Sequence, residues 1–328
     1  MRSLNQAVNC HGELALTIAV TRTCTVRIIL PRVSLRALPL RRAGSIVGHM
    51  KRRKKFGQRA FAIFCAGFVL SYALRGTAEQ PSPAATATWN AYIATVEARL
   101  ARQHASHDEF LAGEMANSQN EERLRRGERI IDQLTPAAGA DLPGALLHHW
   151  RGTAFAPGAT ARDFARTMRD FAGYPQIYAP QVLNCRVLDQ HGDEYQVLMR
   201  VRQKHILTVT LDTTYDVLFG RLDIQHGFSI SRSTRIAEIG SKGRAQPSAD
   251  DHGFLWRQNT YWTYEERDGG LYLQIESISL TRGIPPGLGW VVGPFVASVP
   301  RESIEFTLAS TCRALREAQP ATGERKLR

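Results

Sequence analysis

The chain has 328 residues, 43 % of them hydrophobic and 22 % charged, and a formal net charge of +12. Residues 1–78 carry 14 of the 42 Lys and Arg but only one of the 30 acids, Glu13, which leaves 28 bases against 29 acids in residues 79–328. The basic excess thus belongs to the N-terminal segment. The near-neutral remainder excludes a surface built to neutralise a phosphate backbone, so no nucleic-acid partner is expected.

Residues 1–49 hold scattered arginines and no sustained period. They read as translated upstream sequence, with Met50 the true start, or as a disordered tail, and they are set aside from the fold. After Met50 come Lys51, Arg52, Arg53, Lys54, Lys55 and Arg59, then 15 apolar residues, Ala60–Leu74, then Gly76-Thr77-Ala78. Basic, apolar and small segments in that order over residues 50–78 predict a signal peptide cut before Glu79. The apolar run is shorter than the roughly 20 residues of a membrane span. Export to the periplasm or the exterior is the expectation, with an uncleaved N-terminal anchor as the alternative.

Residues 79–88 (EQPSPAATAT) read as a linker. Residues 89–135 read as a helical appendage of two or three helices. Trp89, Ile93, Val96 and Leu100 recur at helical spacing, as do Ile130, Ile131 and Leu134, and EERLRRGER mixes charges as a solvated helix face does. His104 and His107 lie three apart beside Asp108; a solvated face is the expectation there, and no metal.

From Ala145 the pattern changes to strands. Ala145–Phe155 is the first, Thr160–Phe171 a short helix with Phe164, Met168 and Phe171 on one side, and Gln176–Ala179 at most one more turn. Six strand patterns follow: Val182–Asp189, Glu194–Leu207, Thr208–Gly220, Gly227–Ile239, Gly253–Arg267 and Leu271–Arg282. Val197, Met199 and Val201 alternate with Arg200 and Arg202, and Val209, Leu211, Tyr215, Val217 and Phe219 oppose Asp212 and Asp216, so one sheet face is buried. Gly283–Val299 is a Gly/Pro-rich apolar loop. Arg301–Ala318 is a helix with Pro300 at its start and Ile304, Leu308, Cys312 and Leu315 on one face. Residues 319–328 form a polar tail. Cys185 and Cys312 are either a disulfide or two small core residues.

This order is α+β. With the segments GTAFAPGATARDFARTMRDFAGYPQIYAP and SLTRGIPPGLGWVVGPFVASVPRESIEFTLASTCRAL, it resembles the START-like, or SRPBCC, helix-grip superfamily of polyketide cyclases, pollen-allergen-type carriers and coenzyme-Q-binding proteins. The resemblance covers about residues 145–318. It implies a curved seven-stranded antiparallel sheet around the long C-terminal helix, with apolar ligands held between them. It also places the loop Gly283–Val299 beside a cavity opening, where Trp290 and Phe295 would act as a lid.

No G-x-S-x-G, Walker A loop or H-E-x-x-H occurs in the chain, and no cofactor is expected. The near-fingerprint Gly287, Gly289 and Gly293 is one residue too long and lacks a βαβ unit. The candidate ligand-lining residues are Met199, Val201, His205, Tyr215, Phe219, Trp256, Trp262, Ser277, Ser279, Trp290 and Phe295. A few polar groups among them, with Gln203 and Gln258, would orient a mainly apolar guest. Glu276 has the opposite parity and is expected to pair across strands with a base such as Arg257. The first reading is an exported protein binding a hydrophobic small molecule or lipid, with transient membrane contact left open. The alternatives are a cyclase- or hydrolase-type enzyme using His205 or a nearby carboxylate, and an envelope module whose residues 89–135 dock a protein partner.

Overall fold

A computed structural model describes residues 80–111, 118–134, 142, 144–204, 208–246, 255–283 and 289–319, with the side chains of 204 and 289–297 excluded. The expected upstream segment, signal peptide, His205 and the tail from residue 320 lie outside these residues.

The first element is not a linker. Ser82 caps a helix, α1 (Pro83–Gln103), by accepting a bond from the Ala85 amide at 3.1 Å, and Pro83 occupies the first turn. There its missing amide costs nothing. One stripe of α1, formed by Ala85, Trp89, Ile93, Val96 and Leu100, is buried. A short helix, α2 (Ser118–Arg125), buries Leu124. Gly127, at φ 89°, then ends it, and residues expected to be helical form the edge strand β1 (Ile130–Gln133). Three apolar residues were too short a run to separate the two periods.

The remaining elements are β2 (Ala145–Pro157), α3 (Ala161–Arg169), a 3₁₀ turn (Phe171–Gly173), α4 (Tyr174–Ile177), β3 (Val182–His191), β4 (Glu194–Lys204), β5 (Thr208–Arg221), β6 (His226–Glu238), β7 (Arg257–Arg267), β8 (Gly270–Arg282) and α5 (Gly289–Glu317). The sheet is antiparallel, with eight strands in the order β1-β2-β8-β7-β6-β5-β4-β3. It has one strand more than the expected seven, because β1 adds to its edge. Asp268 (φ 58°) and Gly269 (φ 72°) make the two-residue turn from β7 to β8. Positive φ at both turn positions matches the twist of a hairpin. Helix α3 begins with a capping box between Thr160 and Asp163.

The C-terminal helix starts twelve residues before the expected Arg301, so part of the expected loop is helical and Pro300 lies inside α5. An interior proline is disfavoured but a proline at a first turn is common, which is why the residue suggested a start. Ile304, Leu308, Cys312 and Leu315 are buried in one core with Trp150, Ala154, Trp262, Leu273 and Ile275, so the helix lies on the inner sheet face as expected. The approach is closest at Gly152, where a Cβ would stand 2.7 Å from Leu308 Cδ1 and collide with Ile304. Gln319 reaches the Pro157 carbonyl at 2.9 Å, so α5 runs toward the Pro157 end of β2.

The outer face is covered by α1, whose buried stripe packs on Leu147, Tyr261, Ile278 and Leu280. Arg232 donates two bonds to Glu97 of α1, at 2.7 and 3.0 Å, and the Tyr261 hydroxyl donates a third at 3.0 Å. No described helix is long and apolar enough to cross a membrane.

Candidate ligand-binding face

Strand register sorts the inner face into rungs. Gly152, Ile275, Trp262, Ser229 and Phe219 lie on one rung. It is packed on by α5 and by Phe164 and Phe171, the latter two through ring contacts to Trp262 and Phe219 at 5.3 and 6.3 Å. The next rung, toward the Ala145 end of β2, holds Trp150, Ser277, Thr260, Ser231 and Val217. The one beyond holds His148, Ser279, Gln258, Ser233 and Tyr215. A polar band therefore crosses an otherwise apolar face from β2 to β5, where Tyr195 and Val197 of β4 lie opposite Val217 and Tyr215.

Part of this band is internally bonded. The Tyr215 hydroxyl donates to Gln258 Oε1 at 3.0 Å, and the Gln258 amide donates to Ser233 Oγ at 2.8 Å. Burial pushes the Tyr215 phenol well above its ordinary pKa and the His148 imidazole below its own, so both stay neutral. His148 Nε2 lies 3.4 Å from Thr281 Oγ1. The Trp150 indole N–H is buried and makes no hydrogen bond among the described residues. The Thr213 hydroxyl, 1 % exposed and on the same strand face as Tyr215, interacts with the Tyr215 phenol and partly offsets the effect of burial on it. An orphaned group such as the indole N–H costs about 1–3 kcal/mol.

The band contains Tyr215, Ser277 and Ser279, while Met199 and Val201, partly buried, lie further along β4, opposite Thr213 and Leu211. Phe219 and Trp262 lie on the inner face but in the packed rung. Trp256 does not belong to this face. It stands just before β7, in the outer cluster with Ala145, Leu147 and the α1 stripe, because the strand period does not extend past Arg257. His205 and the side chains of Trp290 and Phe295 lie outside the described residues. Sequence reasoning overlooked Trp150, Thr213, Thr260, Ser231 and Ser233. The period-two serines of β6 were their one visible signal.

The outer face carries a polar cluster of a different kind. Glu276, 2 % exposed, accepts from His149 Nε2 at 2.9 Å, from Arg151 Nε at 3.0 Å and from Arg99 of α1. His149 Nδ1 bonds Tyr92 Oη at 2.9 Å. Arg257, the expected partner of Glu276, instead donates to the Trp256 carbonyl at 2.8 Å. Burial alone would raise the Glu276 pKa, but the His149 bond and the Arg151 and Arg99 charges hold it at about 2. This carboxylate is paired on every side, which makes it a fastening for α1 rather than a reactive group. The outer-face orphan is Asp132 Oδ2, on the edge strand opposite Arg151.

His104, expected on a solvated face, is buried. It stacks on Phe228 at 4.1 Å and bonds Thr263 Oγ1 at 2.9 Å. Cys185 and Cys312 are free, buried thiols, and burial pushes Cys185 up to about 12. A surface pocket of about 360 Å³ lies at the far end of the sheet, beside Gly158–Thr160 and Glu266–Gly270, away from the polar band.

No family model and no curated protein matches the chain. Several solved structures are similar to it at low sequence identity. A STAR-related lipid transfer protein fragment from Xanthomonas axonopodis is 16 % identical, covers 57 % of this chain and 98 % of its own, and has a TM-score of 0.36. The Zhui aromatase/cyclase from Streptomyces sp. R1128 is also 16 % identical, with 54 % and 99 % covered and a TM-score of 0.36. A START superfamily protein from Mycobacterium smegmatis is 13 % identical, with 53 % and 99 % covered and a TM-score of 0.34.

Burial lowers the His104 pKa from 6.5 to about 4. Between those values the unfolded chain binds a proton that the folded chain does not, so stability falls as pH drops from 6.5 to 4. The loss reaches about 3 kcal/mol at pH 4. Denaturant melts across this range are expected to show a flatter pH slope for His104→Phe than for the parent chain.

Proposed function

We propose that the chain is an exported carrier of a hydrophobic small molecule or lipid, held between the inner sheet face and α5. The observation that carries this reading is the polar band with its orphaned Trp150 N–H. Buried polar groups of native proteins are otherwise nearly all bonded. A mainly apolar guest with a hydrogen-bond acceptor would take the indole N–H, and burial of its apolar part would supply most of the affinity. Export rests on the basic, apolar and small segments of residues 50–78. Helix α1 packs its apolar stripe on its own sheet, so a docking module would need another surface of residues 89–135.

One substitution separates binding from folding. Trp150→Phe is expected to weaken binding of anilinonaphthalene sulfonate by about 5- to 10-fold, the worth of one hydrogen bond. Fluorescence titration checks the affinity and a denaturant melt checks the fold. Unchanged probe affinity in Trp150→Phe would remove the indole from the site.

N-terminal sequencing of exported material is expected to begin near Glu79. Residues 1–49 on the mature protein would overturn the signal reading.

A further inference from the structure

The segment after α1 meets the turn between β5 and β6 at a cluster that the ligand-binding reading does not use. His107 Nε2 lies 2.9 Å from Asp223 Oδ2. His226 Nδ1 lies 2.8 and 3.0 Å from the two oxygens of the same carboxylate. One nitrogen or oxygen from each of the three residues falls within 4.8 Å of the others. Two imidazole nitrogens and one carboxylate oxygen are the donor set of an open zinc site, whose bonds are about 2.0–2.2 Å long.

The surroundings hold the donors in place. The Gln225 and His226 amides donate to Asp223 Oδ1 at 2.7 and 2.8 Å, fixing the carboxylate on its turn. Phe110 packs against the His226 ring at 5.0 Å, and the His107 ring meets it edge-on at 5.2 Å. The second nitrogen of His226, Nε2, lies 3.7 Å from Glu265 Oε1, in ion-pair range though longer than a hydrogen bond. A metal-bound imidazole almost always directs its other N–H to such an acceptor, which fixes the tautomer and ring orientation. Here that arrangement leaves Nδ1 as the ligating atom, on the side where Asp223 and His107 converge.

We propose that His107, Asp223 and His226 bind a divalent cation of the zinc class, which clips the segment following α1 to the β5–β6 turn. Imidazole ligands favour zinc, nickel or copper over magnesium and calcium, which prefer all-oxygen sites. The three ligands come from two chain segments more than 100 residues apart, so the ion would cross-link the outer covering of the sheet to the sheet itself.

The test uses the full chain stripped with a chelator and titrated with Zn²⁺ against a chromophoric competitor. One equivalent is expected to bind, with a rise in melting temperature that excess Mg²⁺ does not reproduce. His107→Ala and His226→Ala should each weaken binding at least about tenfold. His191→Ala, at the exposed end of β3 near Asp189, should leave it unchanged. His107 is exposed, so its variant is expected to melt like the parent in chelator, which separates lost binding from lost fold. Asp223→Asn keeps the turn acceptor and should still bind more weakly. No binding at about 100 μM Zn²⁺, or parental affinity in His107→Ala, overturns the proposal.

Discussion

Strand β8 is buried on both faces along nearly its whole length, and the rest of the architecture follows from that. Leu271, Leu273 and Ile275 point inward and Tyr272, Glu276, Ile278 and Leu280 outward, all of them buried. A sheet with one wet face needs a single covering layer; a strand dry on both sides needs two. Helix α5 supplies the inner layer and sets its depth at Gly152, where no side chain would fit beneath Leu308. Helix α1 supplies the outer layer. Residues 83–103 are therefore a structural half of the domain and not an appendage to it.

The two layers treat polar groups differently. Beneath α1, Glu276 is surrounded by His149, Arg151 and Arg99, and its charge is retained despite burial. Removing one partner of such a group typically costs 3–5 kcal/mol, so the cluster ties α1 to β2 and β8 in one register. Beneath α5, the polar band is only partly bonded to itself. The Trp150 N–H is kept at a stability cost that an apolar side chain of equal size would avoid. The outer face is packed and, apart from Asp132 Oδ2, its buried polar groups are paired, whereas the inner face keeps the unmet indole donor.

Much of this was legible in the sequence. Alternation in β4, β5 and β8 gave their inner faces, and the spacing of Ile304, Leu308, Cys312 and Leu315 gave the buried stripe of α5. Gln258, Ser277 and Ser279 were singled out because they are polar at apolar parity. The misreadings share a physical origin in signals that serve two structures. Ser82-Pro83 looks like a linker and is a helix start. Pro300 looks like a helix start and lies in an interior. Ile130 and Ile131 fit either period. Glu276 was placed on the correct face, but its partners came from β2 and from α1, a helix whose position no local pattern reveals. The His107–Asp223–His226 cluster is likewise a product of tertiary contact.

The central claim is that the orphaned indole of Trp150 meets the guest. The chain has five tryptophans, so ¹⁵N-indole labelling yields five side-chain N–H signals, and the Trp150→Phe variant assigns the one of interest. On titration with anilinonaphthalene sulfonate, the Trp150 signal should shift downfield as its N–H gains an acceptor and should become slower to exchange with water, saturating with the fluorescence. Saturable binding that leaves the Trp150 signal in place while moving others would contradict the account and put the guest elsewhere on the protein.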